Sequence, residues 1–141
     1  MKAVVDTNVL IPAIWRADTA PGPILDAWRM GQFELVTSEP ILNEIEEVLH
    51  YPRIRRRSNW VEERIAAFME TLRADSTVVV PIAELKVVRD PDDNRFLEAA
   101  VAGEADCLVT LDEDLLSVGH YEGIAVVTPA RFLAMLVDSQ L

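Results

Sequence analysis

Five short runs in this chain are apolar with almost no polar interruption: Ala3-Val4-Val5, Phe33 to Thr37, Val78-Val79-Val80, Cys107 to Thr110 and Ile124 to Val127. A strand with one wet face alternates apolar and polar residues. An uninterrupted β-branched run fits a parallel strand covered on both sides. Between these runs lie helical patterns. Ile24 to Met30 reads as a short helix stopped at Gly31. From Ser38 to about Leu49, the residues Ile41, Leu42, Ile45, Val48 and Leu49 form one apolar stripe, ended by Tyr51-Pro52. Val61, Ile65, Phe68, Met69 and Leu72 form another, and Asn59 with Glu62 resembles a capping box ahead of it. Pro91 to Ala102 and a last helix after Thr128-Pro129 complete the set. Strands alternating with helices imply an α/β fold. The expected architecture is a three-layer α/β/α sandwich around a central, mainly parallel, about five-stranded sheet. With 141 residues and no repeat or linker, the chain reads as one domain, 1–141.

One stretch exceeds what folding needs. Asp90-Pro91-Asp92-Asp93-Asn94-Arg95-Phe96-Leu97 sets three carboxylates in four positions at a helix start. Asp90 as N-cap with Pro91 at the first helical position already satisfies that start. Helix phase separates the other two acids. Asp93 falls in line with Leu97 and Ala100, at the top of the core-facing stripe, where an unpaired carboxylate is costly. A cation would compensate it.

Other acids can reach the same place. Sites in open parallel sheets form outside the carboxyl ends of the strands. Asp6 follows the first strand, where Asn8 is placed to open a helix. Asp112 lies just past the fourth strand. Glu44 is two turns into the helix after the second strand, at the border of its buried stripe. Four like charges in one cleft repel, and hard divalent cations relieve that with oxygen ligands. Such a cation can activate water and orient a phosphate, which makes phosphodiester hydrolysis one chemical possibility among phosphoryl reactions.

Here the chain resembles a known family. Val4-Val5-Asp6-Thr7-Asn8 is similar to the opening strand of PIN-domain ribonucleases. Ser38 to Ile45, Asp90 to Glu98 and Leu108 to Leu116 look like that family's later blocks, in the same order. The best match is to the branch described as toxins of toxin–antitoxin pairs. The resemblance implies a PIN-like sandwich and an Mg²⁺- or Mn²⁺-dependent endonuclease acting on single-stranded RNA. Its four acids map onto Asp6, Glu44, Asp93 and Asp112, as catalytic and metal-holding residues. Thr7, Asn8 and Thr110 match its supporting polar residues; Asp92 is the alternative third acid and Asp114 a further supporting group. In the implied reaction, water attacks phosphorus in line and leaves 5′-phosphate and 3′-hydroxyl ends. A protein antitoxin and a homodimer are the implied partners.

The net charge of −11 runs against a general nucleic-acid binder, and setting aside four site acids still leaves the chain acidic. Any RNA contact must be local. Arg53, Arg55, Arg56 and Arg57 form the one basic cluster and could touch phosphate. His50 and His120 have no partner at ligand spacing. Trp15, Trp28 and Trp60 read as core or interface residues. Cys107 lies in an apolar run and, as the single cysteine, forms no intrachain disulfide. No apolar run approaches membrane-spanning length and the start lacks a signal-peptide pattern, which makes the cytoplasm the default location. Two rival readings are a phosphoacceptor receiver domain and a non-catalytic PIN-shaped binding module. The first would want paired acids by the first strand and a lysine near the last; Lys2 and Lys86 are the only lysines.

Overall fold

The structure is a computed structural model and describes residues 1–15 and 21–139. In chain order its elements are β1 (Lys2–Val5), α1 (Thr7–Ala13), α2 (Pro21–Arg29), β2 (Glu34–Ser38), α3 (Glu39–Leu49), α4 (Pro52–Ser58) and α5 (Glu62–Asp75). They continue with β3 (Thr77–Val79), α6 (Pro91–Ala102), β4 (Cys107–Val109), α7 (Glu113–Leu116), β5 (His120–Tyr121), β6 (Ile124–Val127) and α8 (Pro129–Ser139). The sheet order is β3-β2-β1-β4-β6-β5, parallel throughout except for the β5–β6 pair.

The expected mainly parallel α/β architecture is present, with six strands among the described residues rather than about five. The extra one, β5, is a two-residue antiparallel edge strand running into Ile124 through a turn at Glu122 and Gly123. Its length and its exposed histidine gave no apolar run to read.

Burial follows the apolar runs. Ala3, Val4 and Val5 in β1 and Cys107, Leu108 and Val109 in β4 are all buried, so successive side chains on both faces of the central strands are covered. Helix α2 packs on α1 and α8; α3 packs on α4, α5 and α6. The buried stripe of α3 is Ile41, Leu42, Ile45 and Leu49. No helix among the described residues is long and apolar enough to cross a membrane.

Three local readings are corrected and two are refined. Asp6, not Asn8, caps α1, because its carboxylate accepts the Asn8 amide. Ser38 is the N-cap residue of α3, but its side chain makes no capping hydrogen bond, and its buried hydroxyl has no partner among the described residues. The arginine cluster is itself a helix, α4. Asn59 ends α4 in the left-handed region, φ 58°, so it is a C-cap and not part of a capping box; Val61 precedes α5. Strand β3 begins at Thr77 and stops before Val80, one residue earlier than the valine run suggests. It lies on the open edge of the sheet, with Val80, Pro81 and Ile82 following it.

Candidate active site

The carboxyl ends of β1 and β4 are side by side, because Val5 is in register with Val109. The residues after them therefore meet. Asp6 is buried, and its amide donates to the Val109 carbonyl at 2.9 Å. One carboxylate oxygen, Oδ1, accepts the Asn8 amide at 3.3 Å. The other, Oδ2, accepts the Thr110 hydroxyl at 2.7 Å. Thr110 is fully buried, and its Oγ1 also accepts the Asp112 amide at 3.0 Å. One hydroxyl thus fixes the first acid and the backbone of the last.

Glu44 projects from α3, half-buried, and accepts the Thr7 hydroxyl at Oε2, 2.7 Å away. Asn8 is exposed, and its Oδ1 accepts the Leu111 amide at 3.4 Å, tying the start of α1 to the turn after β4. Asp93 is half-buried at the head of α6, while neighbouring Asp92 is exposed and pairs with Arg95 at 3.0 Å.

Asp6, Glu44, Asp93 and Asp112 line one cavity of about 850 Å³, together with Thr7, Asn8 and Phe96. Asp92 and Asp114 do not line it. Burial pushes the Asp6 carboxyl up to about 6, against the opposing hydrogen bonds from Thr110 and Asn8; the charges of Glu44 and Asp112 add to the rise. Burial also pushes Asp93 up to about 7, with Asp112, Asp90 and Asp6 adding to it. Taking negative charge out of water beside other negative charge costs free energy, and protonation relieves it.

Among the described residues no three His, Cys, Asp or Glu side chains close into a ready-made metal cage. The donor set nonetheless suits a hard cation. It is all oxygen, and Mg²⁺ usually takes only one or two direct carboxylates and keeps several waters.

The loop before α6 is held by a residue that the sequence reading did not single out. Asn94 is buried; its Oδ1 accepts the amides of Val87 and Val88, both at 3.0 Å, and its Nδ2 donates to the Val88 carbonyl at 2.8 Å. Asn94 anchors the segment next to Asp93. Glu98 adds a second tie by accepting the Leu85 amide at 2.7 Å. An asparagine in a first helical turn looks like an ordinary solvated residue, so only its lack of fit to the apolar stripe hinted at this role.

The lining of the cavity also draws on α4 and on Pro12 and Trp15 at and just after the end of α1. Arg53, Arg56 and Arg57 line it and Arg55 does not. Trp15 is half-buried and also lines it, whereas Trp28 and Trp60 are buried in the core as expected. The His50 ring joins the Glu46 carbonyl to the Glu62 carboxylate, at 2.7 and 2.9 Å, which ties α3 to α5; His120 is in edge strand β5.

Comparisons with known proteins place the family and the fold. Residues 2–114 match the family model described as PIN domain. An uncharacterized protein of Methanocaldococcus jannaschii, MJ1680, is 34% identical over 118 residues, 84% of this chain and 75% of that protein. The crystal structure of PAE2754 from Pyrobaculum aerophilum superposes with a TM-score of 0.61 at 16% identity, covering 98% of this chain and 90% of the other. VapBC2 from Rickettsia felis, solved bound to a DNA fragment from their promoter, gives a TM-score of 0.56 at 13% identity, covering 91% and 98%. At these identities the two structures speak for the fold, and the family match supplies the membership: the chain belongs to the PIN domain family.

Proposed function

We propose that this chain, acting as a single domain, is a divalent-metal-dependent endoribonuclease that hydrolyses single-stranded RNA. The observation that supports it most is that one cavity is lined by four acids, from the N-cap of α1, from α3 and α6, and from the turn after β4, two of them with raised carboxyl pKa values. Asp6, Glu44, Asp93 and Asp112 would hold Mg²⁺ or Mn²⁺. When bound, such an ion supplies activation of water and neutralisation of phosphate charge.

The chain's own residues do the rest. Thr110 fixes the rotamer of Asp6, and Thr7 fixes that of Glu44. Asn8 keeps the turn after β4 against α1, which sets the reach of Asp112. Phe96 and Ile11 form an apolar lining that limits water at the acids. Cationic side chains of α4 face the strand's phosphates.

The proposed biological setting is a toxin restrained by a protein antitoxin, with a homodimer as a further assembly. This part of the reading rests on the resemblance of four sequence blocks to the toxin branch. VapBC2, a structural neighbour, was solved on promoter DNA. A chain of net charge −11 is a poor DNA binder alone, so in any such assembly a basic partner would carry the DNA.

The test is cleavage of single-stranded RNA with Mg²⁺ or Mn²⁺ by wild type and Asp6→Asn. Asparagine caps a helix as well as aspartate does, so the variant keeps the start of α1 and loses the charge. Wild type is expected to cut and leave 5′-phosphate ends, and the variant to be inactive. Equal activity in both preparations rules the assignment out.

A further inference from the structure

The four acids are part of the lining of the cavity, and helix α4 supplies another part. Its arginines are not equivalent: Arg53, Arg56 and Arg57 recur at i, i+3 and i+4 and line the cavity, while Arg55 is on the opposite side of the helix. Among the described residues none of these arginines forms an ion pair, although the chain carries a net charge of −11. The same lining includes the apolar side chains of Pro12, Val48, Ile54 and Trp15. The Arg57 guanidinium stands 5.9 Å from the centroid of the Trp15 ring.

A cavity with this layout discriminates among occupants. An acidic peptide would satisfy the arginines and be repelled by the carboxylates. A basic peptide would do the reverse. An unpaired nucleic-acid strand suits both sets of charges: phosphates would meet the arginines, a base the indole, and a neighbouring phosphate the cation-holding acids. At about 850 Å³ the space is ample for such a segment. Stacking needs an open base face, which a duplex does not offer.

We propose that Trp15, flanked by Arg53, Arg56 and Arg57, forms a base-stacking subsite that holds one nucleotide of a single strand next to the position cut at the carboxylates. The subsite rests on the ribonuclease reading only for the word "cut"; binding is a separate property. It also accounts for RNA recognition by an acidic chain, since the cationic contacts are gathered on one turn of helix.

The experiment measures binding of a labelled, phosphorothioate single-stranded RNA by anisotropy in Mg²⁺, alongside intrinsic tryptophan fluorescence. Trp15→Ala is expected to weaken binding by about 5- to 100-fold. Trp15→Phe keeps a stacking ring, so it retains affinity but loses the fluorescence quench that RNA causes in wild type. Arg56→Gln with Arg57→Gln lowers affinity and flattens its salt dependence, and Arg55→Gln leaves both unchanged. Circular dichroism checks folding; should Trp15→Ala not fold, the phenylalanine and arginine variants decide.

Wild-type binding by Trp15→Ala overturns the proposal. So does an effect of Arg55→Gln equal to that of the double variant, competition by duplex RNA as strong as by single strand, or stronger competition by an acidic peptide. RNA bound in the expected pattern but never cleaved would keep the subsite and defeat the ribonuclease reading. Asp6-dependent cleavage with binding indifferent to Trp15 would do the opposite.

Discussion

The Thr110 hydroxyl donates to Asp6 Oδ2 at 2.7 Å, joining residues 104 positions apart at the mouth of two adjacent strands. Replacing the hydroxyl by a methyl group of similar shape leaves a buried carboxylate oxygen without its donor and the Asp112 amide without its acceptor. Thr110→Val is expected to raise the Asp6 pKa further and to weaken Mn²⁺ binding roughly 10-fold or more. Thr110→Ser should restore most of the loss. Titration calorimetry reads both, and a valine variant that holds the ion as wild type does would refute the role.

The raised carboxyls set the sign of a pH effect. Asp6 at about 6 and Asp93 at about 7 are both above 3.8, the ordinary value. The folded protein therefore keeps protons that the unfolded chain releases. Their contribution to stability is complete below 3.8 and is lost as pH rises through about 6 and about 7. The melting temperature of the metal-free protein should fall across this window. Asp93→Asn, which cannot titrate, should show a shallower fall and a higher melting temperature at the alkaline end. Mn²⁺ should recover stability there in wild type and release protons when it binds acidic-form protein. A melting curve that climbs with pH through the window contradicts the assignment.

Asn94→Ala removes both halves of a buried amide that holds Val87 and Val88 against α6. Buried backbone groups left unpaired should cost about 2–3 kcal/mol, seen as a lower urea midpoint. Cleavage should fall as well, because the same loop sets the position of Asp93. Asn94→Asp retains the acceptor and loses the donor, so it should also be destabilised.

At the end of α6, a Cβ placed on Gly103 would meet Val36 Cγ1 at 2.5 Å, with the Ala99 carbonyl and Val79 Cγ1 both at 3.3 Å. The backbone there has φ −91°, so sterics alone are at issue. Val36 is fully buried and has little room to yield. Gly103→Ala is expected to destabilise by about 1–3 kcal/mol, measured by chemical denaturation, without changing the pH behaviour of the acids.

Much of this was legible in the chain because apolar continuity is a strong signal. The runs at Val4, Leu35, Leu108 and Val126 all became parallel strands, and the stripe from Ile41 to Leu49 became α3. Asp93 and Asp92 were separable by helix phase, and the structure places the first in the cavity and the second in solvent. What escaped has a physical reason. Helix α4 buries none of its residues, so it carries no apolar stripe. Strand β5 is two residues long, too short to show a pattern, although its Tyr121 packs partly against the core. The positive φ of Asn59 is a backbone property that a capping-box pattern imitates. Trp15 does pack partly against the core, but sequence does not show which cavity an indole borders.

Strand β3 leaves a row of backbone donors and acceptors on the rim of the sheet, and the side chains just beyond it, Val80 and Ile82, are 85% and 98% exposed. Such a rim invites another chain to continue the ladder, which is how fibrils grow. Pro81 interrupts it: with no N–H to offer and a fixed φ, it cannot extend the ribbon. A visiting strand would find only three residues to pair with before meeting the imino ring. The same short stretch is thus greasy enough to attract neighbours and built to deny them a lasting hold.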